Sequence, residues 1–181
     1  MPGLSPGALD ALRTERLALR RPREADRADM LVMQQDEEVM ATLGGVRSEA
    51  ESDAIFDRLC AHWDAHDFGY WVVRSPDDRR FAGRAGLRLL VVDGTPEIEV
   101  GYGLMAEYWG RGLATELAAA SVRAAFEVVG VESLVCFTLT SNRRSQRVME
   151  KVGFRYEKDF VHAGLPHRLS RLDAAAWRSA S

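Results

Sequence analysis

The stretch Glu97-Ile98-Glu99-Val100-Gly101-Tyr102-Gly103-Leu104-Met105-Ala106-Glu107-Tyr108-Trp109-Gly110-Arg111-Gly112-Leu113-Ala114 changes its period halfway along. Up to Leu104 it alternates: Glu97 and Glu99 share one side, opposite Ile98, Val100 and Tyr102, as in a half-buried strand. From Leu113 the apolar positions Leu117, Ala120, Ala124 and Val128 keep a helical period until Gly130, which suits a left-handed C-cap. Gly110 and Gly112 lie at the turn between them. Glycine lets a backbone approach a ligand closely and adopt positive φ, and the first turn of a helix offers unpaired N–H groups at its positive dipole end. A pyrophosphate fits that description. A Gly-x-Gly turn also occurs with no ligand at all, so its neighbours have to decide its meaning.

Before this stretch, Arg16-Leu17-Ala18-Leu19-Arg20 alternates as a strand and Pro22 ends it. Glu24, Asp26 and Asp29 then lead into Met30, Leu31 and Met33, placing negative charge at the start of a helix. After the break at Gly44-Gly45, Ser48-Glu49-Ala50-Glu51 reads as a capping box for a second helix reaching about His66. Tyr70 to Arg74 and Arg80 to Leu90 read as strands joined by a Ser75-Pro76-Asp77-Asp78 turn, and Asp93-Gly94 is a hairpin signal leading to Glu97. Beyond Gly130, Leu134 to Leu139 has strand length, and Ser141 or Asn142 can cap a helix that carries Ser145, Val148, Met149 and Val152 before Gly153. Phe154 to Phe160 and Leu169 to Leu172 close the chain as strands. This order predicts an α/β mixed sheet with helices on its faces. Residues 1–13, rich in glycine and proline, read as a flexible lead to a single domain over 14–181.

The 181 residues fit one domain, and 46% hydrophobic with 28% charged residues is the balance of a soluble globular chain. A net charge of -3 gives no field that would gather nucleic acid. The first twelve residues hold no apolar core of signal-peptide length and nowhere is there an apolar run fit to span a bilayer, so the expectation is a cytoplasmic protein with no membrane partner. Cys60 and Cys136 sit in apolar patterns and read as reduced core thiols. His62-x-x-x-His66 lacks the glutamate of a zincin helix and reads as helix surface, and no metal site is expected.

Trp109-Gly110-Arg111-Gly112-Leu113-Ala114 resembles the Gln/Arg-x-x-Gly-x-Gly/Ala motif of the GNAT superfamily of N-acetyltransferases, departing only at its first position. Tyr108 to Glu116, with tryptophan at that position, is similar to the branch containing the ribosomal-protein N-terminal (alanine/serine) acetyltransferases. Asn142-Arg143-Arg144-Ser145-Gln146-Arg147-Val148-Met149-Glu150-Lys151-Val152-Gly153-Phe154 matches the same branch's Asn-x-x-Ser-x-x-(aliphatic)-x-x-Lys-x-Gly-Phe. Thr14-Glu15-Arg16-Leu17, Gly69-Tyr70-Trp71 and Glu99-Val100-Gly101-Tyr102 extend the resemblance over nearly the whole chain.

That resemblance implies a mostly antiparallel sheet flanked by helices, in which the strand ending at Leu104 splays from Leu134 to Leu139 to form an acyl-CoA cleft. Acetyl-CoA would be the co-substrate, held by Leu104, Met105, Arg111, Gly112, Ala114, Thr115, Asn142 and Ser145, with no metal. Its acetyl group would pass directly to a primary amine in a ternary complex. Glu99 aligns with the family's strand glutamate and would be the base, with Glu97 the alternative, and the Met105 N–H would be the oxyanion donor. The family's usual tyrosine acid is Met149 here, which moves the expected donor to the leaving sulfur to Ser145, oriented by Asn142. Arg143, Arg144 and Arg147 either meet the 3′-phosphate or are solvated.

The acceptor, a protein N-terminal amine or a small-molecule amine, would lie against residues 36–42, 63–71 and 160–167, where His162 and His167 are candidate lining. Asp36, Glu37 and Glu38 either attract a cation or form a solvated helix end. A homodimer is the family expectation. A non-catalytic acyl-CoA-binding or sensing domain is the second reading, which Met149 keeps open and Glu99, Asn142 and Ser145 oppose.

Overall fold

A computed structural model describes residues 7–75 and 79–180. The first six residues of the lead, and Pro76 to Asp78 of the expected turn, lie outside the described residues. Among the described residues there are eight strands: β1 (Ala11–Arg13), β2 (Ala18–Arg20), β3 (Tyr70–Arg74), β4 (Phe81–Val92), β5 (Thr95–Leu104), β6 (Ser133–Leu139), β7 (Arg155–His162) and β8 (Leu165–Asp173). They form one sheet in the order β1-β2-β3-β4-β5-β6-β8-β7, in which β5 and β6 alone run parallel. The helices are α1 (Arg27–Gln35), α2 (Glu37–Met40), α3 (Glu49–His66), α4 (Leu113–Arg123), α5 (Arg143–Val152) and α6 (Ala174–Ala180).

The local signals act as expected. Ser48 Oγ accepts from the Glu51 N–H while the Glu51 carboxylate accepts from the Ser48 N–H, closing the capping box that starts α3. Asn142 rather than Ser141 caps α5. The helix begun by Leu113 widens into π-helical turns over Ala124–Val129 and stops at Gly130, whose φ of +75° is left-handed.

Beyond the hairpin at Asp93-Gly94, β4 and β5 pair over ten registers, from Val92↔Thr95 to Gly83↔Leu104. One face of the central strands, with Trp71, Val73, Ala85, Leu87, Val100 and Leu104, packs with Phe56 and Trp63 of α3 and Leu117 and Val122 of α4 into the main core. Alternation turns Tyr70, Arg84, Arg88, Glu97 and Glu99 to the other face. Two glycines let groups settle on that face. A Cβ at Gly101 would stand 2.0 Å from the Tyr70 hydroxyl, and one at Gly103 would meet Met33 of α1 at 2.8 Å and Leu43 at 3.0 Å.

Between β5 and β6 there is one register pair, Glu99↔Val135. Past it no further residues of the two strands pair, which is the splay expected from the family resemblance.

Three parts of the fold were not legible beforehand. Leu9 is fully buried and the Trp71 indole donates to its carbonyl at 2.7 Å, so with β1 the latter part of the lead joins the sheet and core. The closing helix α6 follows from packing of Trp177 on Phe126, with ring centroids 5.3 Å apart. Asp26, read as a helix-dipole charge, is fully buried instead. Burial pushes its pKa up, and hydrogen bonds from Arg20, Arg74 and the Arg23 N–H outweigh that, leaving it below the ordinary value.

His62 also departs from the expected helix surface. Its Nδ1 lies 2.9 Å from the Phe68 carbonyl and its Nε2 lies 3.0 Å from the Leu89 N–H. Only the neutral Nδ1–H tautomer satisfies both, since Nε2 must accept. Burial lowers the His62 pKa, opposed by the Phe68 carbonyl and aided by His66 and Arg88. The lowered folded value sets the sign: the contribution is complete above the unfolded pKa of about 6.5 and is lost as pH falls through the folded value. The Tm should therefore drop more between pH 7.5 and pH 5 in the native chain than in His62→Gln, as read by differential scanning calorimetry; equal pH slopes would remove His62 as the titrating group.

Candidate active site

The turn before α4 has the geometry of an anion cradle. Gly110 and Gly112 hold φ of +72° and +78°, and Gly112 is the N-cap with no side chain to cap the helix. The first bond of the helix runs from the Glu116 N–H to the Gly112 carbonyl at 3.2 Å, so the N–H groups of Leu113, Ala114 and Thr115 have no intrahelical partner. Glu116 would oppose an anion there, but Arg16 takes its carboxylate: Nε donates to Oε2 at 2.7 Å and the backbone N–H to Oε1 at 2.9 Å. Arg16 Nη1 also donates to the Arg111 carbonyl at 2.8 Å. The Glu116 pKa is raised by burial but lowered further by Thr14 and Arg16, so the helix start keeps a neutralised carboxylate and N–H donors without intrahelical partners.

Arg111, Gly112, Ala114 and Thr115 are thus together at the cradle. Arg144 of α5 lies over the Trp109 ring at 5.4 Å, bringing a second helix's cation to the same turn. The part played by Arg16 was not readable in advance, because its partner is one hundred residues away.

Where β5 leaves β6, the backbone departs from expectation. The Met105 N–H donates to the Ala82 carbonyl at 2.9 Å, so it is spent on the β4–β5 ladder and is not a free oxyanion donor. Antiparallel pairs alternate between bonded and non-bonded types. With Met105 and Ala82 bonded, the next pair, Leu104↔Gly83, is non-bonded, and the Leu104 N–H points away from β4 into the opening; the same holds for Tyr102. Trp109 Nε1 occupies the Leu104 carbonyl at 2.8 Å, which fixes the strand end against the cradle.

Glu99 sits at the single register pair and is only 5% exposed. Its Oε2 accepts from the Tyr70 hydroxyl at 3.0 Å and from Arg88 Nε at 2.8 Å, with Arg88 Nη2 at 2.7 Å. All of its contacts fall on that oxygen, and Oε1 has no partner among the described residues. Burial and the Glu99 charge push the Tyr70 phenol well above its ordinary pKa, so Tyr70 serves as a donor. Glu97 is differently placed: both of its oxygens are held by Arg171 of β8, at 2.7 and 3.1 Å.

On the opposite side of β5, Tyr102 reaches Ser145. The two hydroxyls are 2.9 Å apart, and the phenol is 3.3 Å from the Ser145 carbonyl. Burial, with Cys136 nearby, holds the Tyr102 pKa well above 10. Asn142 acts on Ser145 through the backbone, its Oδ1 accepting the Ser145 N–H at 3.1 Å. Met149, at 2% exposure, is a core side chain. Gln146 ties α5 to the end of β6 by donating to the Leu139 and Thr140 carbonyls. Tyr102 read from sequence only as an apolar strand position. His162 and His167 cluster with Phe137 and Phe160, with Phe137–His162 centroids 4.8 Å apart. Among the described residues no group of three or more His, Cys, Asp or Glu is placed to hold a metal ion.

The acetyltransferase (GNAT) domain family matches residues 16–155. An uncharacterized N-acetyltransferase of Bacillus subtilis (strain 168), YoaA, is 26% identical over 148 residues, covering 81% of this chain and 83% of that protein. An acetyltransferase from Agrobacterium tumefaciens superposes with a TM-score of 0.79 at 24% identity, covering 90% of this chain and 93% of that one. The ribosomal-protein-S5-alanine acetyltransferase of Vibrio fischeri superposes with a TM-score of 0.76 at 18% identity, covering 92% and 98%. The family match takes in the cradle, the parted strands and the Ser145 helix together, and this chain belongs to the acetyltransferase (GNAT) domain family.

Proposed function

We propose that the chain is an N-acetyltransferase that moves an acetyl group from acetyl-CoA to a primary amine by direct attack. The observation that carries this reading is the Glu99 carboxylate, anchored through Oε2 and open through Oε1 at the point where β5 and β6 part. An attacking amine must give up a proton, and Oε1 would take it, directly or through a water. Charge developing on the acyl oxygen would be met by the Leu104 or Tyr102 N–H, in place of the Met105 N–H, which is bonded to Ala82. The nitrogen–carbon bond forms as the carbon–sulfur bond breaks. The Ser145 hydroxyl, supported by the Tyr102 phenol at 2.9 Å, would donate a hydrogen bond to the leaving thiolate and relay it a proton by way of Tyr102, which solvent reprotonates. Arg111, Gly112, Ala114 and Thr115 would hold the pyrophosphate of the donor, with Arg16 and Arg144 as supporting cations. Protein N-termini and small-molecule amines both remain within this reading.

Coenzyme A titrated into Gly112→Val by calorimetry should bind about tenfold or more weakly than to the native chain, because a β-branched residue is strained at φ of +78° and the cradle must shift. Thiol release across an amine and peptide panel should fall by about 10²-fold or more in Glu99→Gln, with coenzyme A affinity nearly intact. Unchanged turnover in that variant would remove Glu99 as the base, and donor binding without turnover on any acceptor would favour a sensing domain. Ser145→Ala and Tyr102→Phe should each lower kcat, and the double variant should cost much less than the product of the two, since one hydrogen-bonded unit is lost. Multiplicative losses would mean that the two hydroxyls act separately.

A further inference from the structure

On the sheet face that carries Glu99, one cation is left without a carboxylate partner after the ion pairs are matched. Arg171 is taken by Glu97 and Glu157, and Arg88 by Glu99. Arg84, in register with Gly103 on the same face, has no carboxylate within ion-pairing distance among the described residues. Its guanidinium carbon lies 4.9 Å from the centre of the Tyr70 ring. Burial weighs against its charge; Tyr70 and Glu99 oppose that effect, Arg88 and Arg47 reinforce it, and the net result is a pKa below the ordinary arginine value. Arg47 is itself bonded to the Gly44, Gly45 and Val46 carbonyls and adds no anion. Arginine stays charged at such a site, so the charge is under-compensated rather than removed.

Tyr70 connects this cation to the base. Its ring takes Arg84 while its hydroxyl donates to Glu99 Oε2, so guanidinium and carboxylate flank one phenol with Oε1 open. Nearby, α1 covers Gly103 through Met33, and its next residue, Gln34, is buried with both amide atoms unpartnered among the described residues. The acidic run offers no compensation: Asp36 accepts from the Val39 N–H as the cap of α2, and Glu37 and Glu38 are exposed in its first turn. A polycation would meet two arginines and one already paired carboxylate. A molecule with an amine at one end and an anion at the other would complete both halves.

We propose that Arg84 binds an anionic group of the acceptor, carboxylate or phosphate, so that the preferred substrates are amines carrying a negative charge a short spacer away, and polyamines are disfavoured. This rests on the reading of Glu99 as the base for amine acetylation. The test compares α- and ω-amino acids with their carboxamides, phosphoethanolamine with ethanolamine, and spermidine as the cationic arm. The first readout is thiol release from acetyl-CoA. The second is the Tm of the chain with coenzyme A and each N-acetylated product.

At least one anionic amine should exceed its neutral counterpart in kcat/KM by about tenfold or more, and the ratio should collapse toward one in Arg84→Gln and recover partly in Arg84→Lys. Which arm responds separates carboxylate from phosphate. If neutral amines or spermidine are used as well as the anionic ones, the anion site falls while amine acetylation stands. If nothing turns over but an anionic product raises the Tm of the native chain and not of Arg84→Gln, the anion site stands and Glu99 as base falls. If neither readout separates charged from neutral ligands, the proposal is overturned.

Discussion

β5 and β6 pair in register at Glu99↔Val135 alone, and the rest of the site depends on that single register pair. A parallel pair that continued would have consumed the outward N–H groups of β5 in hydrogen bonds. Because it stops, Tyr102 and Leu104 present donors to an opening instead of to a neighbour. The strand end is fixed by commitments of its own: the Met105 N–H to Ala82, the Leu104 carbonyl to Trp109, and the Tyr102 phenol to Ser145. An opening lined by unpaired backbone donors is costly in a dry core and useful where a ligand supplies the acceptors.

The two sides of β5 carry different chemistry. Toward α5, the half-buried Tyr102 and Ser145 hydroxyls lie together. Toward α1, Glu99 offers an acceptor, and its neighbours are charged. Burying a carboxylate without a partner costs several kcal/mol, of the order expected for an ion taken from water, and Arg88 offsets this. Tyr70 and Arg88 meet the same oxygen, which leaves the carboxylate both fixed and half open. Glycines at 101 and 103 make the arrangement possible, since any side chain there would displace Tyr70 or Met33.

Much of the fold was legible because its signals are local. Ser48 and Glu51, Asp93-Gly94, Gly130 and Gly153 are punctuation that works within four or five residues, and each ends or starts an element where its chemistry requires. Leu9, Trp177 and His62 were not legible, since each is defined by a distant partner: Trp71, Phe126 and the Leu89 N–H. Asp26 failed for a related reason. An acid before a helix reads as a dipole charge, and only the folding of Arg20 and Arg74 over it makes it a buried node.

By itself, the sequence determined the strand, turn and helix of the cradle, because glycine freedom at 110 and 112 and the apolar period from Leu113 are properties of neighbouring residues. It also determined that Glu97 and Glu99 share a face, since strand alternation is geometric. Only the tertiary structure decided which of those carboxylates is left with an open oxygen, that the Met105 N–H is spent, that Tyr102 stands behind Ser145, and that Arg84 has no carboxylate in ion-pairing reach among the described residues. Those outcomes depend on which strands become neighbours and on how charges pair across them. Long-range pairing satisfies or orphans a group according to its spatial partner, which the spacing of residues along the chain does not encode.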